Sequence, residues 1–195
     1  VVTDAGSAKQ SVIRDAESIF GAGYPNFVPG HPIAGTEHSG VGAAFAELYR
    51  QRRVILTPTE DTSTAAVDRV RAMWEAAGAT VDTMSAEHHD LVLAGTSHLP
   101  HLLAFGLVDC LNNLEDIDEI FRFAAGGFRD FTRIASSDPV MWRDICLSNR
   151  EQVMAMMKRY RDEMAKMYRA LEEYDGEKLK EVFERAKRVR DAFCG

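Results

Sequence analysis

"RVILTPTEDTSTAAVDRVRAMWEAAGATVDTM", residues 53–84, decides how the rest of the chain is read. It opens on an apolar, β-branched run, RVILTP, stopped by Pro58, and closes on a second one, ATVDTM, at residues 79–84. Short runs of this kind between turn residues read as buried strands. Between them Val67, Val70, Met73, Trp74 and Ala77 recur at helical spacing, and Gly78 stands where a helix C′ residue belongs. Strand, helix, strand over about 30 residues is the unit of a parallel sheet.

The pattern extends upstream. VVTD, residues 1–4, reads as the end of a buried strand, so the chain is expected to begin inside a domain. SAKQSVIRDAESIF, residues 7–20, reads as a helix with Val12, Ile13, Ala16 and Ile19 on one face and Ser7 as its N-cap. GAGYPNFVPGHPIAGTEHSGVG, residues 21–42, reads as a loop because Gly and Pro crowd it. Downstream of Ser85 no further strand is expected. AEHHDLVLAGTSHLPHLLAFGLVDCLNNL, residues 86–114, reads as a long apolar helix distorted near Pro100, with shorter helices between residues 116 and 147. Val153, Met157, Tyr160, Met164, Met167 and Leu171 then repeat at four-three spacing, and Leu179, Val182, Ala186, Val189 and Phe193 continue on a last helix. Such seams mark core packing or a subunit interface. The expected class is α/β plus all-α, with a boundary near residue 85: an α/β part over 1–85 and an all-helical part over 86–195.

Composition narrows the partners. The chain has 195 residues, a formal net charge of −7 and three cysteines far apart. An acidic surface is not drawn to nucleic acid or to an anionic membrane. The cysteine pattern points to neither a disulfide framework nor a Cys-based metal site. No apolar run is read as membrane-spanning and no signal peptide is seen, so a cytoplasmic location is expected.

Four stretches carry chemistry, and each has a plainer reading. DAGSAK, residues 4–9, follows a strand and opens a helix, where backbone N–H groups and the Ser7 hydroxyl can meet a polar ligand; an ordinary capped helix explains it too. His31 sits among Gly30, Pro32 and Gly35, which fix the backbone around it, although an isolated loop histidine is often merely exposed. SHLPH puts Ser97 and His101 on one face of an apolar helix with His98 beside them; burying imidazoles requires partners, so a cleft-facing role fits. A metal site with His88 and His89 competes but lacks a ligand signature, and no metal is expected. GGFRDFTRIASSDPVMWRD, residues 126–144, offers Arg129, Arg133 and Arg143 to an anion, or to Asp130, Asp138 and Asp144 in surface ion pairs.

Together with GHPIAGTEHSG, VILTPT and MWEAAGATVDTMSAEHHD, these stretches resemble the prephenate/arogenate dehydrogenase family of tyrosine biosynthesis, in family order over most of residues 3–150. The resemblance implies a Rossmann-like nucleotide-binding domain followed by a helical domain that makes a homodimer, hence a truncated Rossmann-like parallel sheet here. The family's GxGxxG phosphate loop has no counterpart; the absent part would be on the order of 80 to 100 residues for a mononucleotide-binding half. By itself the chain is therefore expected to hold NAD or NADP weakly, and a non-catalytic dimerising or substrate-binding fragment is the rival of a different class.

The implied reaction is NAD(P)-dependent oxidative decarboxylation of prephenate, or of arogenate. On this resemblance His31 accepts the proton of the substrate hydroxyl and Ser7 bridges His31, substrate and nicotinamide. Arg133 binds a substrate carboxylate. Ser97, His98, His101 and Trp142 line the substrate pocket with Thr36 and Glu37 beside it. Asp4, Gly6, Ser7 and Pro32 lie on the cofactor side.

Overall fold

The computed structural model describes residues 1–35, 40–115 and 117–194. Its order is β1 (Val2–Thr3), α1 (Gln10–Phe20), β2 (Phe27–Val28), β3 (Gly30–Ile33), β4 (Arg53–Leu56), α2 (Thr64–Ala76) and β5 (Thr80–Thr83). Helices alone follow among the described residues: α3 (Ala86–Leu93), α4 (Leu99–Asn112), α5 (Ile117–Arg122), α6 (Gly126–Thr132), α7 (Pro139–Ser148), α8 (Arg150–Glu172) and α9 (Gly176–Cys194).

The α/β reading holds, with one addition. β1 pairs in parallel with β2 and β4 with β5, each across a helical crossover, as the strand–helix–strand pattern requires. β3 pairs with β4 antiparallel, setting His31 opposite Ile55 and Pro32 opposite Val54, so that sheet is mixed. The stretch read as a loop thus contains two short strands, and His31 is a strand residue. Pairing across more than twenty residues of chain supplies hydrogen bonds that local Gly and Pro content does not reveal. Among the described strands β3 is an edge, which is where a strand tolerates Pro32.

α2 forms as its sequence dictates. The Ser63 hydroxyl accepts from Ala66 N, and Ala66, Val70 and Trp74 turn inward at intervals of four. They meet Val28, Val54, Leu56 and Ala79 in the buried core, where Tyr49 packs edge-on to Trp74 at 5.0 Å. Gly78 closes the helix at φ +85°, and a Cβ there would lie 3.3 Å from Arg50 Cα.

α1 departs from expectation. It starts at Gln10, not at Ser7, and its N-terminal amides are capped from another helix: Lys9 N and Gln10 N donate to the Asp90 carboxylate at 2.8 and 3.0 Å. Ser7 stays in the loop. α3 and α4 are joined by a π-helical turn, Ala94–His98, which carries the distortion just ahead of Pro100. A proline has no N–H to give and its ring crowds the preceding turn, so the backbone widens there. By length and composition alone, the run Ala86–Asn112 has a mean hydropathy of 1.5 and reaches membrane-crossing dimensions, contrary to expectation. It nevertheless buries His89, Asp90 and His98 against polar partners. By contacts the chain divides into Val1–Val153 and Met154–Gly195, and α3 is tied to α1 within the first unit through Asp90.

Candidate active site

The loop after β1 is built around Asp4. Its carboxylate accepts from Gly6 N at 2.8 Å and from Gly30 N at 2.9 Å, and pairs with the ammonium of Lys9. One side chain therefore pins the loop that carries Ser7 and the residue before His31. Asp4 is committed to backbone and Lys9, so it shapes the loop rather than offering a free carboxylate to a ligand. Lys9 is completely buried and also donates to Gly30 O at 2.5 Å. Burial pulls its ammonium below the usual value, against the attraction of Asp4 and Asp90. Gly30 has no room for a side chain: a Cβ would sit 3.1 Å from Asp4 O and 3.2 Å from Leu56 Cδ2.

His31 leaves β3 into a polar row. Its Nδ1 lies 2.8 Å from His89 Nε2, and His89 Nδ1 lies 2.8 Å from Asp90 Oδ1. A carboxylate only accepts, so neutral His89 carries its proton on Nδ1 and presents a bare Nε2. His31 Nδ1–H must then be the donor, which leaves His31 Nε2 with a free lone pair. Burial, followed by His89, Lys9 and His98, pushes His31 down to about 3, with Asp90 opposing. The ring is neutral near pH 7. Burial raises the Asp90 carboxyl, but hydrogen bonds from His89 and from the amides of Gln10 and Lys9 outweigh it and hold the group below the ordinary carboxylate range.

The π-helical turn and α7 supply a second cluster. Asn149 Nδ2 donates to Asp90 O at 2.8 Å and meets His98 Nδ1 at 3.1 Å. An amide NH2 only donates, so His98 accepts at Nδ1 and carries its hydrogen on Nε2. That N–H, and Trp142 Nε1, are buried without a partner among the described residues. Burial pushes His98 down to about 4, with Asp90 opposing and His89 and His101 adding to the fall. His101 donates from Nδ1 to Ser97 O at 2.9 Å and stacks on Trp142 at 3.4 Å; Trp142 stands edge-on to His98 at 6.2 Å. Arg133 opens a short 3-10 turn after α6 and is exposed, and its charge acts on His101.

Two openings border these groups. A groove of about 340 Å³ runs between the loop at Gly6, Ser7 and Ala8 and the α7 residues Met141, Asp144 and Ile145. A smaller one of about 190 Å³ is lined by His101, Phe105, Trp142 and Cys146. Asp4 thus ties Gly6 to Gly30, the residue before His31 and Pro32, and Ser7 lines the groove with α7, whereas Ser97, His98, His101 and Trp142 gather at the π-helical turn and the start of α4, with the charge of Arg133 acting on His101. Asp90 and Asn149 link the two groups. Thr36 and Glu37 lie outside the described residues. Arg143 pairs with Asp144 on the surface, the plainer of its two readings. His88 is exposed, and among the described residues no group of three or more His, Cys, Asp or Glu side chains could hold a metal ion.

Lys9, His89, Asp90 and Asn149 escape sequence reasoning. "EHHD" is visible, but which of its histidines turns inward is set by the partners that α3 meets.

A buried, neutral imidazole on a strand, hydrogen-bonded through a second histidine to a carboxylate, marks an α/β protein with a built polar site. Residues 1–83 match the family model for the prephenate dehydrogenase nucleotide-binding domain, and residues 85–185 that for the prephenate dehydrogenase dimerization domain. A cyclohexadienyl dehydrogenase from Zymomonas mobilis is 40% identical over 97% of the chain, which covers 65% of that protein. A prephenate dehydrogenase from Bacillus subtilis is 41% identical over 98% of the chain, which covers 52% of it. The crystal structure of A. aeolicus prephenate dehydrogenase in complex with hydroxyphenyl propionate and NAD+ superposes with a TM-score of 0.90 at 42% identity, over 99% of this chain and 67% of that one. The chain belongs to the prephenate dehydrogenase family, and spans between half and two thirds of the length of these curated relatives.

Proposed function

We propose that the protein carrying this chain oxidises and decarboxylates prephenate to 4-hydroxyphenylpyruvate, with NAD or NADP as acceptor. The observation that carries this reading is His31: buried, neutral, and oriented by His89 so that Nε2 is free to accept a proton. The groove beside Gly6 and Ser7 fits one ring-bearing end of a dinucleotide, since it lies within the size range of ligand sites. Asp4, through the backbone it holds, and Gly6, Ser7 and Pro32 would shape that end. When bound, the nicotinamide supplies the hydride acceptor.

This chain's own residues do the rest. His31 Nε2 takes the proton of the ring hydroxyl, and Ser7 would bridge hydroxyl and imidazole. The orphaned donors His98 Nε2 and Trp142 Nε1 offer hydrogen bonds to an acceptor on the substrate, and Arg133 would anchor a carboxylate. Loss of CO2 leaves an aromatic ring, which supplies much of the driving force. Arogenate shares the reacting ring and differs only in its side chain, so it is the alternative substrate. We further assign residues 1–85 to the nucleotide-binding part and 86–195 to a helical part that forms a homodimer, in the cytoplasm, without nucleic acid, membrane or metal as partner.

The test is an absorbance assay for NADH or NADPH formation with prephenate and with arogenate. Reduction coupled to CO2 release is expected with prephenate. A folded protein that reduces neither cofactor with either substrate would refute the reading.

A further inference from the structure

Resting on that reading, the geometry points to a two-histidine proton store: His31 takes the hydroxyl proton, and His89, held by Asp90, keeps the resulting charge. His89 and Asp90 are positioning residues, since they act on the substrate only through His31.

Three observations carry this. The row is continuous, with 2.8 Å from His31 Nδ1 to His89 Nε2 and 2.8 Å from His89 Nδ1 to Asp90 Oδ1. Its polarity is fixed, because Asp90 can only accept. The charges around the two rings are unequal. His31 faces the buried ammonium of Lys9, itself paired to Asp4, and the ring of His98 on the π-helical turn. His89 alone touches a carboxylate, and that carboxylate is kept ionised by the amides of Lys9 and Gln10 at the start of α1. Of the two rings, His89 is therefore the one with a carboxylate in hydrogen-bond contact to balance a charge.

The step balances. The substrate O–H bond breaks and an Nε2–H bond forms on His31. The Nδ1 proton of His31 passes to Nε2 of His89, whose imidazolium then lies against Asp90. The overall reaction neither releases nor consumes a proton: the hydroxyl proton leaves as the ring carbonyl develops, and the phenol oxygen recovers one after CO2 departs. A store suffices and no channel to solvent is needed. His89 is fully buried, which suits a store.

The first test needs no activity. Nitrogen-resolved NMR of the histidine rings in the 195-residue chain should show both His31 and His89 with hydrogen on Nδ1 near pH 7. Hydrogen on His31 Nε2 would overturn the store, and this measurement on the unaltered chain stands even if a variant fails to fold. The second test is kinetic, in the protein carrying this chain. His89→Gln keeps an oxygen to accept from His31 Nδ1 but cannot take a proton. It should lower kcat roughly 10²-fold, the low end for acid–base catalysis, with KM within about twofold. An unchanged kcat would overturn the store. If the unaltered protein turns over neither substrate but shows the expected ring protonation, the reaction is refuted while the polarity of the row stands.

Discussion

His31 takes its chemistry from a neighbour 58 residues away. Alone, an imidazole on a strand edge would share its proton between two nitrogens; against His89 it keeps one on Nδ1 and leaves Nε2 open. Replacing His31 by Asn keeps most of the shape and removes the base. kcat should fall by roughly 10² to 10⁴, with KM little changed. Steady-state rates check this, and a near-normal kcat would remove His31 from the mechanism. Arg133 is proposed for a different task, holding a substrate carboxylate. Loss of a charge-assisted hydrogen bond to a carboxylate should raise KM for prephenate roughly 10- to 100-fold in Arg133→Ala. A fall in kcat alone, with KM unmoved, would contradict an anchoring role. Both residues stand out in the sequence: His31 through its Gly and Pro neighbours, Arg133 through the Gly- and Arg-rich stretch around it. Lys9 does not, because its burial follows from Asp4 curling back upon it, which no spacing rule announces.

At the scale of elements, a few contacts of the segments hold the site. Asp90 on α3 caps α1, binds His89, and through its carbonyl positions Asn149 and thereby His98. β3 reaches the same place because Gly30 lets Asp4 and Leu56 close over it. Gly30→Ala should destabilise the chain by about 1–3 kcal/mol, the usual penalty of overpacking, since a backbone carbonyl stands on one side of the new methyl. Urea unfolding measures this, and an unshifted midpoint would show that the loop yields freely. α2, β4 and β5 were legible because one amphipathic helix between two apolar runs has a single way to bury itself. β2 and β3 were not, since strands of two and four residues are made by their partners. The start of α1 was misread for the same reason: its cap comes from residue 90, not residue 7.

For the whole molecule, two predictions concern assembly and acid. Met157, Met164, Tyr168 and Leu171 on α8, and Phe183 and Val189 on α9, leave apolar surface exposed. Solvated helices rarely present so much. Light scattering should report twice the 21.7 kDa of the chain, and Met164→Asp should shift it toward the monomer. A monomeric parent chain would refute the homodimer. In acid, His31 and His98 act in one direction. Their folded values, about 3 and about 4, lie below the ordinary histidine value, so the unfolded chain binds protons that the fold refuses. Their contribution is complete above about pH 6.5 and falls by about 1.4 kcal/mol per pH unit for each histidine as pH drops toward those values. Asp90, held low, adds a further loss only below the ordinary carboxylate range. Urea midpoints should therefore decline between pH 7 and pH 5; a flat profile would mean that these rings are not held neutral.

The sequence by itself determined what short-range periodicity and apolar content can specify: the strand–helix–strand unit of residues 53–84, the helical remainder, and a set of residues whose combination resembles one family. Tertiary structure alone decided how those residues work. A histidine's tautomer, a lysine's burial and a helix cap supplied from another helix each depend on groups far apart in the chain meeting within hydrogen-bond distance. That meeting is settled by how the core closes, since Asp4, Lys9, His31, His89 and Asp90 can be buried only once each has its partner in place.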